Sequence, residues 1–460
     1  MNAGPTKRAC VQGDVAQSTV RSMAAYEDAP LRPFHVRVVI ASTGGVFSDG
    51  FGLGIIGIAL SAAGPQLDLT PLWLGLIGAG SLAGLFAGAL MAGPAADRFG
   101  RRPIFAHNMA ILAAFSFSQF FVASTGQLLI LRLILGLVLG TDYVVSKALL
   151  TEFSPRRIRG RLLGTLSIAW VAGYVCAYIV GYGLKDWGPN AWHWMLMASA
   201  LPAILILPLR ITMPESPPWL MNHGRVEQAA QVVREKLGAD LLPPAISTTY
   251  FGHGWRLKQL MSPTWRRRTL VGCAFFTCQV IPYFAVGTFV AKVMSALNVQ
   301  GGYFGGLVYN LFLLVGSVAG LFVVDRISRR RFLIGSFAVT TATMFVLSVW
   351  AHLPSIAIIL LFAVFAGVLS AQASLVYVYL PELFPTELRA SGIGVAIAVS
   401  RAGSAASTFL LPVIVVAFGI HAALGACVAA LAFGGVVCLL WAPETKNLPM
   451  DALERPSMGR

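Results

Sequence analysis

Twelve long apolar segments determine what this chain can fold into. Each is close to the length that a helix needs to cross the hydrocarbon of a bilayer, about 20 residues. They are numbered here as helices 1 to 12 and occur at 37–61, 73–93, 104–123, 128–150, 161–184, 193–213, 269–296, 302–324, 333–351, 355–379, 391–417 and 422–442. The runs are continuous and do not alternate with polar residues, which excludes a transmembrane β-barrel. The chain is therefore predicted to be an all-α membrane protein with twelve transmembrane helices.

The composition agrees with this prediction. Of the 460 residues, 57% are hydrophobic and 12% are charged, which excludes a disordered chain, a disulfide scaffold and an ordinary cytosolic enzyme. The six cysteines show no CxxC spacing, and five of them lie in apolar runs. We therefore expect no disulfide, no metal site and no cofactor.

The positive charge of the chain is explained by its distribution. A net charge of +15 would indicate nucleic-acid binding in a soluble protein. If the N-terminus is cytoplasmic, however, 29 of the 34 Lys and Arg residues fall on the cytoplasmic side, where membrane proteins accumulate them. The charge thus predicts topology and no nucleic-acid partner. For a multi-pass protein with an even number of helices, the charge also predicts that both termini are cytoplasmic; the expected location is the cell inner (cytoplasmic) membrane.

Three short motifs occur twice, at a nearly constant spacing of 228 to 230 residues. DRFGRR at 97–102 returns as DRISRR at 325–330, EFSP at 152–155 as ELFP at 382–385, and PES at 214–216 as PET at 443–445. This repeat predicts two pseudo-symmetric six-helix bundles with a substrate site at their interface near the membrane midplane. The predicted domains are a cytoplasmic N-terminal tail at 1–36, a first bundle at 37–213, a cytoplasmic linker at 214–268, a second bundle at 269–442 and a cytoplasmic C-terminal tail at 443–460.

The same motifs carry a resemblance to a known family. GPAADRFGRRP resembles the signature of the major facilitator superfamily between helices 2 and 3, and PELFPTELRASGIG resembles its helix 10–11 loop. PESPPWL and PETKN are similar to two sugar-porter signatures, with Pro218 in place of the usual Arg and Asn447 in place of the usual Gly. SDGFGLGIIGIAL and CQVIPYFAVGTF are more similar to inner-membrane sugar and metabolite transporters of bacteria. The resemblance covers about 38–447. It implies the major facilitator fold and proton-coupled or facilitated transport by alternating access.

Two carboxylates lie inside the predicted spans, Asp49 in helix 1 and Asp142 in helix 4. An ionisable group inside the membrane is costly and is a functional candidate by default. In the family that the chain resembles, an Arg in the motif that begins here at Arg132 pairs with an Asp of helix 1. Asp49, Arg132 and Asp142 are therefore predicted to serve proton coupling, although the family's Asp position falls on Gly52, about one turn from Asp49. The alternatives are structural acids and an Arg132 that extends to the membrane interface.

Charged residues that follow helices 2, 4, 8 and 10 form a second set of candidates. Because each Arg stands at a fixed spacing from an acid in both halves, ion pairs between them could hold the two bundles together on the cytoplasmic side and open during transport. Ser328 replaces the Gly of the first copy, which predicts a weaker second set. The alternative is that these charges only anchor topology. The predicted gating residues are Asp97, Arg98, Arg101, Arg102, Glu152, Arg159, Asp325, Arg326, Glu382 and Arg389.

Polar and aromatic side chains inside the later helices are the candidates for substrate contact. Amides and aromatic faces suit a polyol or a small organic acid, and Pro282 is expected to break helix 7 beside two of them. Arg401, deep in helix 11, could neutralise an anionic substrate. The alternative is that these residues form interhelical hydrogen bonds and an aromatic core. The predicted substrate-binding residues are Gln279, Tyr283, Gln372, Asn310, Trp170 and Tyr174, with Tyr309 beside Asn310.

These observations favour a secondary active transporter for a sugar, a polyol or an organic acid, working as a proton symporter and as a monomer. Its expected partners are the small-molecule substrate, protons and membrane lipid. An exporter or a facilitative uniporter of the same fold, and a transporter-like nutrient receptor, remain alternatives. A membrane-embedded enzyme is disfavoured because the seven His residues show no metal-ligand spacing. ATP-driven pumping is disfavoured because GxxxxGK[ST] is absent from the sequence.

The first prediction concerns topology. A cysteine introduced as Asp240→Cys in the linker is expected to react with a membrane-impermeant thiol reagent only after the cells are broken, because the linker is predicted to be cytoplasmic. Lys185→Cys, in the helix 5–6 loop, is the control and is expected to react in intact cells. Reaction of the cysteine at position 240 in intact cells would invert the topology.

Overall fold

The computed structural model describes residues 24–64, 66–238, 241–242, 244, 257–299, 301–350, 353–384 and 386–445. It confirms the prediction of an all-α membrane protein, because within these residues 12 helices are long and apolar enough to cross a membrane. Their bounds are Pro33–Ala63, Pro71–Phe99, Arg101–Ser118, Thr125–Phe153, Arg159–Leu184, Ala191–Ala198 with Ala200–Ile211, Arg266–Thr288, Gly302–Arg326, Arg329–Val349, Ser355–Ala373, Thr386–Phe418 and Ile420–Trp441.

Three of the described membrane helices are interrupted, and helix 6 breaks at Ser199. Helix 7 runs through Pro282 and breaks at Phe289, after which Val290–Ala296 continues it. The expectation that Pro282 breaks this helix is therefore wrong. Proline removes one backbone hydrogen bond, and packing against neighbouring helices compensates for that loss. Helix 10 breaks at Ser374 and continues as Leu375–Glu382.

The two halves repeat the same packing. Helix 2 lies along helix 4 and helix 1 along helix 5 in the first half, and helix 8 lies along helix 10 and helix 7 along helix 11 in the second. Helices 3 and 6 pair in the same way as helices 9 and 12. The halves meet mainly where helix 2 packs on helix 11 and helix 5 packs on helix 8. The repeat relates these two contacts, because helix 8 is the counterpart of helix 2 and helix 11 is the counterpart of helix 5.

Glycine permits the close approach of helices 2 and 4. A Cβ atom at Gly88 would overlap the carbonyl oxygen of Leu137, and one at Gly136 would overlap that of Ser81. The second half repeats the device, since a Cβ at Gly316 would overlap the carbonyl oxygen of Gly367. Small residues allow the backbones of membrane helices to come into contact in this way.

A segment before helix 1 packs against the linker and the helix 4–5 loop. Ala24–Ala25 pairs in parallel with Leu241–Leu242 in a short two-stranded sheet. The Glu27 carboxylate accepts a hydrogen bond from Arg156 at 2.8 Å and lies 3.6 Å from Arg159. The linker itself contains a helix at Val226–Val232 that continues as a π-helical turn at Val233–Leu237.

The face opposite the linker is closed between the halves. A Cβ at Gly57 of helix 1 would overlap the carbonyl oxygen of Thr288 at the end of helix 7, and one at Gly75 of helix 2 would overlap that of Phe409 in helix 11. The Tyr178 hydroxyl of helix 5 also donates to the carbonyl of Tyr303 in helix 8 at 3.1 Å. Direct backbone contact therefore seals this face.

The second prediction tests this seal. Gly57→Ala is expected to open the face opposite the linker, because the added methyl group cannot fit beside the Thr288 carbonyl. Gly183→Ala is the matched control, since a Cβ there meets nothing within 4 Å. A Val280→Cys reporter in a chain without other cysteines should react faster with an impermeant thiol reagent, added from that face, in the Gly57 variant only. Equal rates in both glycine variants would show that this contact does not control access.

Candidate functional site

A cavity lies between the two halves at the level of the helix 10 break. Its volume is about 70 Å³, which is smaller than most pockets for drug-sized ligands. Helices 4 and 5 of the first half and helices 7, 10 and 11 of the second contribute its walls. The lining residues are Tyr143, Ser167, Trp170, Val171, Phe276, Gln279, Val280, Tyr283, Phe284, Ala373, Val376, Tyr377 and Arg401.

Aromatic rings form one side of the cavity around Trp170. The Trp170 ring stacks on Tyr174 with centroids 5.5 Å apart, and Tyr283 and Phe284 approach it at 5.9 and 6.0 Å. Tyr283 and Phe284 also meet each other edge to face at 5.3 Å. Such a surface suits the flat or C–H-rich face of a small molecule.

Unpaired polar atoms accompany these rings. The Gln279 side-chain nitrogen donates to the carbonyl of Leu369 at 3.2 Å, whereas its oxygen has no hydrogen-bond partner among the described residues. The Tyr283 hydroxyl, in the same part of the structure, also lacks one. A buried polar atom without a partner is costly, so these two atoms are available to a ligand or to water.

Two basic side chains meet at Tyr143. The Lys147 ammonium group lies 3.5 Å from the centroid of the Tyr143 ring and 5.0 Å from that of Tyr377. The Arg401 guanidinium lies 5.6 Å from the Tyr143 ring, and at 5.7 and 5.8 Å from the rings of Phe276 and Phe284. Among the ion pairs of the described residues, none involves Lys147 or Arg401.

Three of the predicted substrate residues do not line this cavity. Tyr174 stacks behind Trp170. The Asn310 amide donates to the carbonyl of Gly306 in the preceding turn of its own helix, at 2.8 Å. Gln372 is fully buried beside the helix 10 break, and neither polar atom of its side chain has a partner within the described ranges. Trp170, Gln279 and Tyr283 are the predicted residues that the cavity brings together.

A buried ion pair in the first half joins Asp142 to Arg210. Both residues are fully buried, and the guanidinium donates to both carboxylate oxygens, once at 3.0 Å and once more closely. The Ser146 hydroxyl donates to the same carboxylate and accepts from Arg210, each at 2.9 Å. Arg210 also donates to the carbonyls of Ala41 and Phe105. The side chain of Arg210, in the last turn of helix 6, therefore extends into the bundle.

The predicted pair between Asp49 and Arg132 does not form. Arg132 is buried and donates to the carbonyl of Gly52 at 2.8 Å, which places it one turn beyond the carboxylate. Both Asp49 oxygens are buried without a hydrogen-bond partner among the residues described. The reason is the helical step from Asp49 to Gly52, which directs the guanidinium to the backbone at the family's acid position.

Asp49 instead lies near the Asp142–Arg210 pair. A Cβ at Gly45, one turn before Asp49 on helix 1, would collide with the Arg210 guanidinium and would reach to 2.9 Å from an Asp142 oxygen. The charges of Asp142 and Arg210 both act on Asp49. Two carboxyl groups and one guanidinium therefore share this part of the first half, and Gly45 provides the space for the cation.

The predicted gating residues form a network at the linker side of the first half. The Arg101 guanidinium lies 3.0 Å from Asp97 and 3.4 Å from Glu152. The Glu215 carboxylate accepts hydrogen bonds from the backbone N–H groups of Arg101 and Arg102, at 3.0 and 3.2 Å, at the N-terminus of helix 3. A carboxylate at this end of a helix is favoured by the helix dipole. The network ties helices 2, 3 and 4 to the segment after helix 6.

The second half repeats this network. Arg329 lies 3.8 Å from Glu382, and its backbone N–H donates to Glu444 at 3.1 Å. The Ser328 hydroxyl donates to Glu444 and accepts from the N–H of Arg331, so the substitution of Gly by Ser adds contacts and the expected weakening does not follow from it. Glu215 and Glu444 are functional candidates that sequence reasoning missed, although both stand in the repeated Pro-Glu-Ser/Thr motif.

The remaining gating candidates have other surroundings. Arg98 is exposed beside the Phe99 ring at 5.4 Å, Arg159 donates to the carbonyl of Ser154 at 3.2 Å, and Arg389 donates to that of Pro381 at 3.2 Å. Arg326 is exposed at the end of helix 8, and the side chain of Asp325 lies outside the described residues. The contacts of Arg101 and Arg329 given above lie within each half, so a latch between the halves stays a prediction.

Comparisons with known proteins agree with this architecture. A family profile described as "Sugar (and other) transporter" matches residues 37–456. The inner membrane metabolite transport protein YgcS of Escherichia coli (strain K12) is 40% identical over 427 residues, which cover 93% of this chain and 95% of that protein. The partially occluded inward-open structure of the xylose transporter XylE from E. coli has a TM-score of 0.75, with 20% identity, over 91% of this chain and 100% of that chain. The resemblance found in the sequence motifs and the transporter class are thus confirmed, and an enzyme is not indicated.

The third prediction concerns the buried ion pair. Arg210→Met and Asp142→Leu, made singly, are each expected to destabilise the protein by about 3–5 kcal/mol, because each leaves an unpaired charge in a medium of low dielectric constant. The double variant is expected to be much closer to the wild type in thermal unfolding of the purified protein, since it removes both charges. A double variant that is less stable than either single variant would mean that the pair itself, and not the orphaned charge, decides stability.

Proposed function

The chain belongs to the sugar (and other) transporter family, and we propose that it is a proton symporter that moves a small polar metabolite across the cytoplasmic membrane by alternating access. The observation that carries the proposal is a cavity between two pseudo-symmetric halves whose face opposite the linker is closed by backbone contact. A substrate site between two repeats, accessible from one side at a time, is the arrangement of secondary transporters.

Asp49 is the carboxyl group that we assign to proton coupling. Asp142 is already compensated by Arg210 and Ser146, whereas the Asp49 carboxyl lacks a hydrogen-bond partner within the described residues. When Asp49 is protonated and neutral, Arg210 interacts with the charge of Asp142 alone. When Asp49 is ionised, it also attracts the Arg210 guanidinium, which lies beside Gly45. Protonation of Asp49 would therefore change the electrostatic attraction between helices 1, 4 and 6.

Arg132 has a supporting part in this proposal. It donates to the backbone of helix 1 at Gly52, so it fixes the position of the turn that carries Asp49. Its positive charge also lies on the same helix as Asp142, on the side of the pair away from the linker. We propose that Arg132 limits the ways in which helix 1 can move when Asp49 changes its charge.

Arg101 and Arg329 support alternating access on the linker side. Each holds the end of one helix pair through acids at equivalent positions of the repeat, so each half can move as a rigid body. We propose that these residues, with the rest of the gating set, are strained or released when the linker side opens. The same proposal includes cytoplasmic termini and a location in the inner membrane.

The fourth prediction separates Asp49 from Asp142. In proteoliposomes with an imposed pH gradient, Asp49→Asn is expected to abolish accumulation of a substrate found by ligand-induced thermal stabilisation, because Asn cannot release a proton. Exchange of labelled for unlabelled substrate should persist, since it needs no net proton movement. Asp142→Asn is expected to lower stability through the orphaned Arg210, which thermal unfolding will detect.

Two outcomes would contradict the assignment. If Asp49→Asn still accumulates substrate and Asp142→Asn does not, then Asp142 carries the proton. If accumulation in the wild type does not depend on the pH gradient, the protein works as a uniporter or with another coupling ion, and symport is wrong.

A further inference from the structure

We propose that the transported substrate is an organic anion whose carboxylate group binds between Arg401 of helix 11 and Lys147 of helix 4. The inference rests on the proposed transport function and names the chemical class of its substrate. It is more specific than the proposal of a small polar metabolite, because it assigns a negative charge to the substrate.

Arg401 is the first reason. Arg401 is buried, with a relative exposure of 7%, and it lines the cavity. Three aromatic rings surround its guanidinium at 5.6 to 5.8 Å, and its Nε has no hydrogen-bond partner in the part of the chain that the structure describes. A buried guanidinium that only packs against rings loses most of the hydrogen bonds that water would give it. This is the environment of a binding group and a poor one for a structural cation.

Lys147 is the second reason. It belongs to the first half, whereas Arg401 belongs to the second. The Lys147 ammonium and the Arg401 guanidinium both lie over the Tyr143 ring, at 3.5 and 5.6 Å from its centroid. The distance between the two charges is therefore at most the sum of these two distances. Two positive charges at this spacing repel each other in a medium of low dielectric constant. An anion between them would remove the repulsion.

The nearby acids do not compensate these cations. Asp142 precedes Tyr143 in the chain, but its two oxygens are taken by Arg210 and Ser146. None of the cavity-lining residues is an Asp or a Glu. Within the described ranges, Arg401 brings a positive charge into the cavity lining and Lys147 adds a second one beside it at Tyr143, and an anionic ligand would balance them.

The shape of the cavity indicates how the rest of the ligand would bind. A guanidinium matches a carboxylate through two parallel hydrogen bonds, which directs the body of the ligand toward Trp170 and Tyr283. The rings accept a flat or C–H-rich body, and Gln279 and Tyr283 supply the two unpaired polar atoms described above. A small carboxylate with one ring and few hydroxyl groups fits these features. Binding it would join a group of each half, which favours closure of the halves around the cavity.

The test compares acids with neutral molecules of the same shape. Purified full-length protein is mixed with benzoate or benzamide, with glucuronate or glucose, and with a wider panel of small carboxylates beside their neutral amides or alcohols. Binding is measured by thermal stabilisation and then by calorimetric titration. We expect acids to bind and their neutral counterparts to bind at least about tenfold more weakly, as expected when a hydrogen-bonded charge pair is lost.

The variants assign the charge recognition to its residues. Arg401→Gln and Lys147→Gln are each expected to weaken the binding of the acid by at least about tenfold. Any binding of the neutral analogue should stay unchanged. Arg401→Lys keeps the charge without the two parallel donors and should retain part of the affinity, which guards against a variant that fails to fold. Lys185→Gln, a basic residue outside the cavity, is the control and should bind acids as the wild type does.

Several results would overturn the proposal. Equal binding of acid and neutral analogue, preference for neutral ligands, stabilisation by no carboxylate in the panel, or unchanged acid binding in a folded Arg401→Gln variant would each show that Arg401 only packs against its rings. Failure of the transport proposal can be distinguished from failure of the anionic-substrate proposal. Acids that bind but are not accumulated in proteoliposomes would refute proton symport, whereas accumulation of neutral substrates only would refute the anionic substrate.

Discussion

The low dielectric constant of the membrane interior is the constraint on which the rest of the structure depends. A charge there must be neutralised by a partner or be used. Asp142 and Arg210 show the first solution, with a two-point ion pair and a bridging hydroxyl from Ser146. None of the ion pairs found among the described residues involves Asp49, Lys147 or Arg401. The charges that remain uncompensated therefore mark the places where a proton and a substrate are expected to bind.

Symmetry divides the structural residues from the functional ones. The network around Arg101 is repeated around Arg329, and the carboxylates of Glu215 and Glu444 cap equivalent helices. The charges inside the membrane break this symmetry. At the 230-residue offset that relates helix 4 to helix 10, Asp142 corresponds to Gln372 and Lys147 to Tyr377. Alternating access needs two halves that move alike, whereas recognition needs each binding group only once.

The sequence predicts the architecture far better than the pairing of its charges. Helix number, approximate helix bounds and the repeat follow from apolar length and from motifs, because the bilayer enforces length and the repeat preserves local contacts. The Asp49–Arg132 pair failed because a shift of three residues along helix 1 preserves the helix face but changes the depth. The Asp142–Arg210 pair was not predicted, because a long side chain near a helix end can extend into the bundle as readily as toward water, and the space that Gly45 leaves for the guanidinium is seen only in the fold.

Lys147 shows a second kind of limit. The sequence places it near the cytoplasmic end of helix 4, where a cation ordinarily extends to the interface. Its contact with Tyr377 depends on the second half, in which helix 10 is interrupted at Ser374 and resumes beside helix 4. No local pattern contains that information. Sites built between the halves are therefore the least predictable part of such a chain, and they are also where we propose that the substrate binds.

Electrostatics finally connects the two proposed binding events. The empty carrier with an ionised Asp49 has an unpaired negative charge in the first half and two unpaired positive charges at the cavity. A proton removes the former, and a carboxylate that lies close to both of the latter neutralises one of them. The carrier that has bound both therefore has the fewest uncompensated buried charges, and the occluded state between the two open states costs least for that species. Binding only one partner leaves a charge that the closed, dry interior penalises. Coupling then needs no direct contact between proton and substrate, because both relieve the same desolvation cost.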